Sequence, residues 1–375
     1  RLMLAAEREP LGPALLTRAW TQLALLEARE SHYAESLVAA RHAEAVMTGV
    51  PHADRLRGDL ENILGVRAYS MSDYATALEH FQKAYDLRLK TLGPDSPELS
   101  KVLNNLGATN DYLRTPEEGR PFLEKALALN ERVLGPKHPQ LAEPAFNLGR
   151  NLMLTGQFDR AEPLMRRALD LKIATYGKAS VGVVNINRGL SVLHAFQDRP
   201  EAIAEMDRNV ELARSLGKDG VSELQALLVD AGYVHHLGGD HAGAIALLRE
   251  NLVSGQKPGK GAVRVARAKL FLANELAEQG QLAEAQAVLD EAVALLPLLA
   301  SLPDNLLRKE YVQARVRIGL GSPPAPELEA LRALLARLKP SRDPNLQHLA
   351  REVDAYLASS PGPLPQPRPA HPPHR

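Results

Sequence analysis

With 375 residues, 45 basic against 45 acidic side chains and no cysteine, the chain has no net field to draw nucleic acid or an anionic membrane, and no thiol or disulfide chemistry. Its longest apolar run, Ala292 to Ala300, contains Pro297 and is too short to span a bilayer. A phosphate-binding role would need a local basic stripe, and no such stripe shows in the sequence.

In chain order, Arg1 to Glu9 reads as the last turns of the second helix of a preceding unit. Units then follow in register. Ala43, Ala84, Ala126, Ala168, Asn209, Asn251, Ala292 and Ala333 recur every 41 or 42 residues as the small position of a second helix. Nineteen residues before each stands the tight position of a first helix: Ala24, Gly65, Gly107, Gly149, Leu190, Gly232, Ala273 and Ala314, with Gly189 beside the exceptional Leu190. Glycine there costs a helix roughly 1 kcal/mol, which close helix packing must offset. Second helices carry apolar residues at helical spacing, as in Leu78, Phe81, Ala84 and Tyr85, with Glu79, Gln82 and Lys83 turned away. Each unit is therefore a helical hairpin, and a fixed period of this length predicts a solenoid.

The central stretch is the most regular. Leu123-Glu124-Lys125-Ala126-Leu127 echoes Phe81-Gln82-Lys83-Ala84-Tyr85, and the glycines of Leu92-Gly93-Pro94, Leu134-Gly135-Pro136 and Tyr176-Gly177 fall 42 residues apart. Pro97 and Pro139 are expected at the start of first helices, and Thr115-Pro116-Glu117-Glu118 as a capping box. Pro121 and Pro163 fall one turn inside second helices, where proline removes a hydrogen bond, yet the register requires helix. Beyond Lys218 the Leu-Gly-Pro turn disappears while helices persist, and Leu346 to Leu357 forms a capping helix. Seven prolines in residues 361–375 predict a disordered or polyproline-II tail.

These hairpins resemble tetratricopeptide repeats, in particular the 42-residue kind of kinesin light chains, on Leu103-Asn104-Asn105-Leu106-Gly107, Leu134-Gly135-Pro136-Lys137-His138-Pro139, Asn147-Leu148-Gly149 and Ala161-Glu162-Pro163-Leu164. The expected architecture is all-α, an α-α superhelix of about eight hairpins with a C-terminal capping helix over residues 1–358, the exact repeats at about 60–217, and the tail from 359 on. The order of degenerate, exact and again degenerate units also resembles the C-terminal regions of bacterial serine/threonine protein kinases. That resemblance implies a kinase domain upstream, a cytoplasmic location, or the periplasm if a membrane span lies upstream. No kinase motif occurs in this chain, and no catalytic activity and no cofactor are expected.

Two chemical motifs have simpler readings. Ser254-Gly255-Gln256-Lys257-Pro258-Gly259-Lys260-Gly261 resembles a phosphate loop, but Ser254 and Gly261 occupy the places of its first glycine and its Ser/Thr, and an inter-repeat turn is due there. His235, His236 and His241 invite a metal, but adjacent helical residues point about 100° apart, so a turn at Gly238-Gly239-Asp240 is preferred and no metal site is expected.

Function is expected on the concave face, which the resemblance assigns to the first helices near their anchors. Asn62, Asn104, Phe146 and Asn187 stand three residues before the anchors; Tyr69, Asp111, Met153, His194 and His236 four after; Arg150 and Tyr233 one after. Each asparagine could equally bond the neighbouring unit. A groove of amides and aromatics suits a peptide or protein segment, with affinity concentrated in a few residues. The absence of a lysine-rich clamp disfavours an acidic C-terminus. The partner expected is thus protein or peptide; a free-standing adaptor and a self-associating scaffold are the alternatives.

Overall fold

The computed structural model describes residues 12–359 apart from 49, 51–52, 114, 254–259 and 296–302. Its α-helices are α1 (Pro13–Arg29), α2 (Tyr33–Met47), α3 (Asp54–Ser70), α4 (Tyr74–Leu92), α5 (Leu99–Tyr112), α6 (Pro116–Leu134), α7 (Ala142–Leu154), α8 (Phe158–Tyr176), α9 (Val181–Phe196), α10 (Ala202–Ser215), α11 (Val221–Leu237), α12 (His241–Val253), α13 (Lys260–Glu278), α14 (Leu282–Ala294), α15 (Pro303–Gly319), α16 (Pro324–Leu338) and α17 (Pro344–Ser359). Among the described residues sixteen of these helices pair into eight antiparallel hairpins, and α17 follows the last, so the fold is the all-α solenoid expected. Arg1 to Glu9, most of the phosphate-loop-like segment and the proline-rich tail lie outside the described residues.

Close approach inside each hairpin explains the anchor glycines. A Cβ on Gly65 would stand 2.6 Å from the Phe81 ring, one on Gly107 2.4 Å from Leu123 Cγ, one on Gly149 2.7 Å from Met165 Cγ, and one on Gly232 2.7 Å from Leu248 Cγ. Between hairpins, Gly93, Gly135 and Gly177 share φ near +80° with extended ψ, a conformation open essentially to glycine alone. Asparagine can replace alanine in the second helices because it reaches a carbonyl: Asn209 Nδ2 donates to Val184 O at 2.9 Å and Asn251 Nδ2 to Gln225 O at 2.6 Å.

Helices α6 and α8 continue through Pro121 and Pro163. Both prolines are exposed, and the carbonyls they leave unbonded belong to exposed Glu117 and Asp159, where water can serve instead. Three local expectations are corrected. Helix α5 begins at Leu99, not Pro97, and Pro139 opens a 3-10 turn, Pro139–Leu141, ahead of α7. The capping box is not made, because Thr115 Oγ1 donates to Asn110 Oδ1 at 2.9 Å instead of capping α6. Ala333 is exposed while Leu331, Leu334 and Leu335 are buried, so the register of the last hairpin has slipped.

The solenoid turns far enough to touch itself. Tyr74, at the start of α4, packs against Val263 and Ala266 of α13, so the second hairpin meets the seventh. The segment entering α17 and then α17 itself run past the turns of the fourth and fifth hairpins and the end of α11 in the sixth. The Arg342 carbonyl lies 3.7 Å from the Cβ position of Gly156, Arg351 Nη1 is 3.8 Å from Asp198 Oδ2, and Glu352 Oε1 is 3.3 Å from His236 Nε2. Contacts of this kind bound the groove on a further side without sealing it.

Candidate functional site

That space is a cavity of about 360 Å3 on the concave side. First helices line it at helical spacing: Asp111 and Tyr112 of α5; Phe146, Arg150 and Met153 of α7; Arg188, Val192 and Phe196 of α9; Val229, Asp230 and Tyr233 of α11; Val263, Arg264 and Arg267 of α13. Tyr74, Asn305 and Asn345 complete the wall, so α4, α15 and α17 each contribute a residue.

The lining divides into an aromatic part and a charged part. Tyr74 stacks on Tyr112, with centroids 4.7 Å apart and planes at 16°, and Tyr69 meets both edge-on at 5.4 Å. Burial pushes the Tyr74 hydroxyl up to about 12, and pushes Tyr69 up as well, so both remain neutral phenols near neutral pH. The Arg150 guanidinium lies 4.8 Å from the Tyr112 centroid, and its Nη2 is 3.2 Å from Asp111 Oδ2. Asp111 also accepts from Asn151 Nδ2 at 2.7 Å. Across the cavity a single carboxylate, Asp230, lies 3.6 Å from Arg188 Nε and 3.8 Å from Arg267 Nη2. Arg264 completes a set of four guanidiniums facing two carboxylates. Burial first, and then the charge of Arg188, hold the Arg264 pKa below its ordinary value.

Of the residues expected in the groove, Asp111, Phe146, Arg150, Met153 and Tyr233 line this cavity. The others sit elsewhere. Asn62 Oδ1 accepts from Asn105 Nδ2 at 3.1 Å and Asn104 Oδ1 from Asn147 Nδ2 at 3.0 Å, so both tie one unit to the next. Tyr69 stands behind Tyr74 and Tyr112, and Asn187 is half-buried beside Arg188. His194 is held by Glu205 at 2.6 Å and Glu162 at 3.3 Å. His236 is covered by α17: its Nδ1 is 2.7 Å from Glu275 Oε1, and its Nε2 faces Glu352.

The absence of a basic stripe is corrected by the fold, which assembles Arg150, Arg188, Arg264 and Arg267 from three helices. Arg264 and Arg267, set among buried Val263, Val265, Ala266 and Ala268, were the available signal: arginines on an otherwise apolar helix segment.

Two triads have ligand atoms within 4.8 Å of one another, His236-His348-Glu352 and His236-His241-Glu275. Glu352 is engaged by Arg308 through both oxygens at 3.1 Å, a fixed positive charge that opposes a cation there. His235 does not join either triad; it contacts Asp240 at 2.7 Å and Asp207 at 3.0 Å.

Residues 57–115 and 112–174 match the tetratricopeptide repeat family. No curated protein matches the chain. Among solved structures, a Rap protein complexed with Competence and Sporulation Factor is 12% identical, with TM-score 0.63 over 92% of this chain and 98% of that one. The apo quorum sensor NprR from B. thuringiensis is 12% identical, with TM-score 0.54 over 91% and 94%. BtubC (BKLC) from P. vanneervenii is 18% identical, with TM-score 0.42 over 65% and 91%. The repeats of residues 57–174 are thus tetratricopeptide repeats, and the likeness to the Rap and NprR structures is one of fold. Among the described residues no helix is long and apolar enough to cross a membrane.

Proposed function

We propose that this chain is a non-catalytic binding module that takes a short peptide segment into the axial cavity. The observation that carries the reading is the cavity itself, bounded on one side where Tyr74 meets α13 and of the size that ligand sites of folded proteins have, roughly 300–1,000 Å3. Such a volume suits a few residues of a segment, not an extended peptide running the length of the superhelix. The apolar wall of Phe146, Met153, Val192 and Val229 would bury one or two side chains, and the polar groups would fix orientation. The Rap structure supports the reading to the extent that a solenoid of like fold is found there in complex with a factor.

The test uses an equimolar library of acetylated random pentapeptides and mass spectrometry of those retained by the protein in gel filtration. Wild type should retain a subset, and Val192→Trp, which fills the cavity, should lose it while keeping its circular dichroism. Equal retention by the filled variant would move binding to the convex face or the loops. A wider setting, in which the module serves as the recruiting region of a serine/threonine kinase, is supported by the order of its units alone; the reading frame upstream of Arg1 tests it.

A further inference from the structure

Two buried side chains where the sixth and seventh hairpins meet hold a contact that no hydrogen bond explains. His236, near the end of α11 and 9% exposed, has Nδ1 2.7 Å from Oε1 of Glu275 in α13, yet the pair is misaligned and this Nδ1 makes no hydrogen bond. The other ring nitrogen fixes the tautomer. His236 Nε2 faces Glu352 Oε1 at 3.3 Å, and a carboxylate that Arg308 engages through both oxygens can only accept, so a ring proton belongs on Nε2. Nδ1 then points its lone pair toward a carboxylate, a contact that requires a cation, and a proton there is poorly aimed. The second oxygen of Glu275 repeats the arrangement, with Oε2 2.8 Å from Nδ1 of His241, the first residue of α12. Glu275 is 1% exposed and, among the described residues, forms no ion pair with arginine or lysine, in contrast to Glu352. Asn274 Nδ2 donates to Glu275 Oε1 at 3.2 Å and helps to hold the carboxylate in place.

We propose that His236 Nδ1, His241 Nδ1 and the Glu275 carboxylate bind a Zn2+ ion, with water as the fourth ligand. Two imidazoles and a carboxylate suit zinc and not Mg2+ or Ca2+, which take oxygen donors. Donors of tetrahedral zinc stand about 3.3 Å apart, and the three atoms here lie within 4.8 Å of one another, so shifts of about 1 Å suffice. Glu352 supplies the outer support that zinc-bound histidines have: it accepts from the far nitrogen of His236 and is itself held by Arg308. The partly exposed His241 leaves a way in for the ion. The alternative triad of His236, His348 and Glu352 places the ion beside the Arg308 guanidinium, which opposes it. This assignment reverses the expectation that no metal binds. The adjacent pair does diverge, since His235 turns to Asp207 and Asp240, but the third ligand comes from the next first helix, which local spacing cannot show. The ion would join α11, α12 and α13 behind the cavity wall, because Tyr233 of that wall stacks on His236 with centroids 6.1 Å apart. The site does not depend on the cavity taking a peptide.

The test titrates chelator-treated protein with ZnCl2 in a calorimeter, and with Co2+ while visible absorption is followed. Wild type should take up one Zn2+ per chain with micromolar or tighter affinity. Cobalt should give the intense visible bands of a four-coordinate ion, which six-coordinate cobalt on surface carboxylates lacks. His241→Ala should weaken Zn2+ at least tenfold and abolish the rise in melting temperature that Zn2+ gives wild type. His348→Gln should leave the affinity unchanged, as should a variant that replaces both tail histidines, His371→Ala with His374→Ala. Loss in His348→Gln with retention in His241→Ala would move the ion to the Glu352 triad, and loss in the tail variant would move it to the tail. Either result overturns the assignment, as does uptake too weak for calorimetry to register. Should His241→Ala fail to fold, the cobalt spectrum of the tail variant decides alone: four-coordinate bands support the site, and their absence overturns it.

Discussion

Asn147 donates from Nδ2 to Oδ1 of Asn104 at 3.0 Å, and the same bond recurs one unit earlier from Asn105 to Asn62 at 3.1 Å. These bonds tie one unit to the next and give asparagine a structural role on these first helices. Asn104 is buried and outside the cavity lining. Replacing it by alanine leaves the Asn147 amide without this acceptor, at a cost of about 1 kcal/mol. Asn104→Ala should therefore lower the urea midpoint and leave peptide retention unchanged. A double-mutant cycle with Asn147→Ala should give a coupling of about 1 kcal/mol, and additive losses would show that the bond contributes nothing.

Glycine substitutions should follow the room available. A Cβ added at Gly107 meets branched Leu123 at 2.4 Å and the Gly119 carbonyl at 2.9 Å, whereas at Gly149 it meets the unbranched Met165 side chain at 2.7 Å and the Ala161 carbonyl at 3.0 Å, each a little farther off. Overpacking costs roughly 1–3 kcal/mol, against a helix gain of about 1 kcal/mol. Gly107→Ala should accordingly destabilise by about 2 kcal/mol and Gly149→Ala by less, since methionine can move aside. The reverse order in thermal melts would show that these hairpins relax more freely than their packing implies.

Periodicity made the helices and their pairing legible, because each hairpin is a local object that repeats its own packing contacts. The anchors Gly65, Gly107, Gly149 and Gly232 could be placed from spacing alone for that reason. What periodicity does not encode is how far the superhelix turns. Tyr74 reaches Val263 and Asn345 reaches the cavity only through the summed twist of several units, so no spacing rule joins Arg188 of one helix to Arg264 of another. His236 illustrates the same point: its stripe aims it at the concave side, where α17 has already covered it with Glu352. Ala333 marks where the ruler itself fails, once leucines replace the small residue of the second helix.

The closure around α17 should respond to pH. Burial alone would lower His236, but the carboxylates of Glu275 and Glu352 outweigh it and raise it to about 9. A histidine whose folded value exceeds its ordinary one of about 6.5 contributes stability that is complete below pH 6.5 and is lost as pH rises through 9. His348 has the opposite sign. Burial lowers it to about 4, so the unfolded chain takes up a proton first and stability falls as pH drops from 6.5 toward 4. Melting temperature should thus decline on both sides. His236→Gln should flatten the alkaline limb and His348→Gln the acid contribution of that residue; an unaltered alkaline slope in the first variant would remove His236 from the account.

The last prediction concerns Tyr74, which is 3% exposed and joins hairpins far apart in sequence through Val263 and Ala266. Truncating a buried aromatic costs about 3 kcal/mol or more. In a solenoid each unit packs on its neighbours, so the penalty need not be shared evenly along the array. The local hairpin contacts of α6 to α8 do not involve Tyr74, whereas the end of α5, where Tyr112 stacks on it, and the cavity wall do. Tyr74→Ala should therefore leave hydrogen exchange in α6 to α8 little changed, accelerate it at the end of α5 and the start of α13, and increase the radius of gyration in small-angle scattering. Peptide retention should fall in parallel, because Tyr74 is part of the cavity wall. A uniform loss of protection across all helices with an unchanged radius would mean that Tyr74 stabilises its own hairpin and not the closure.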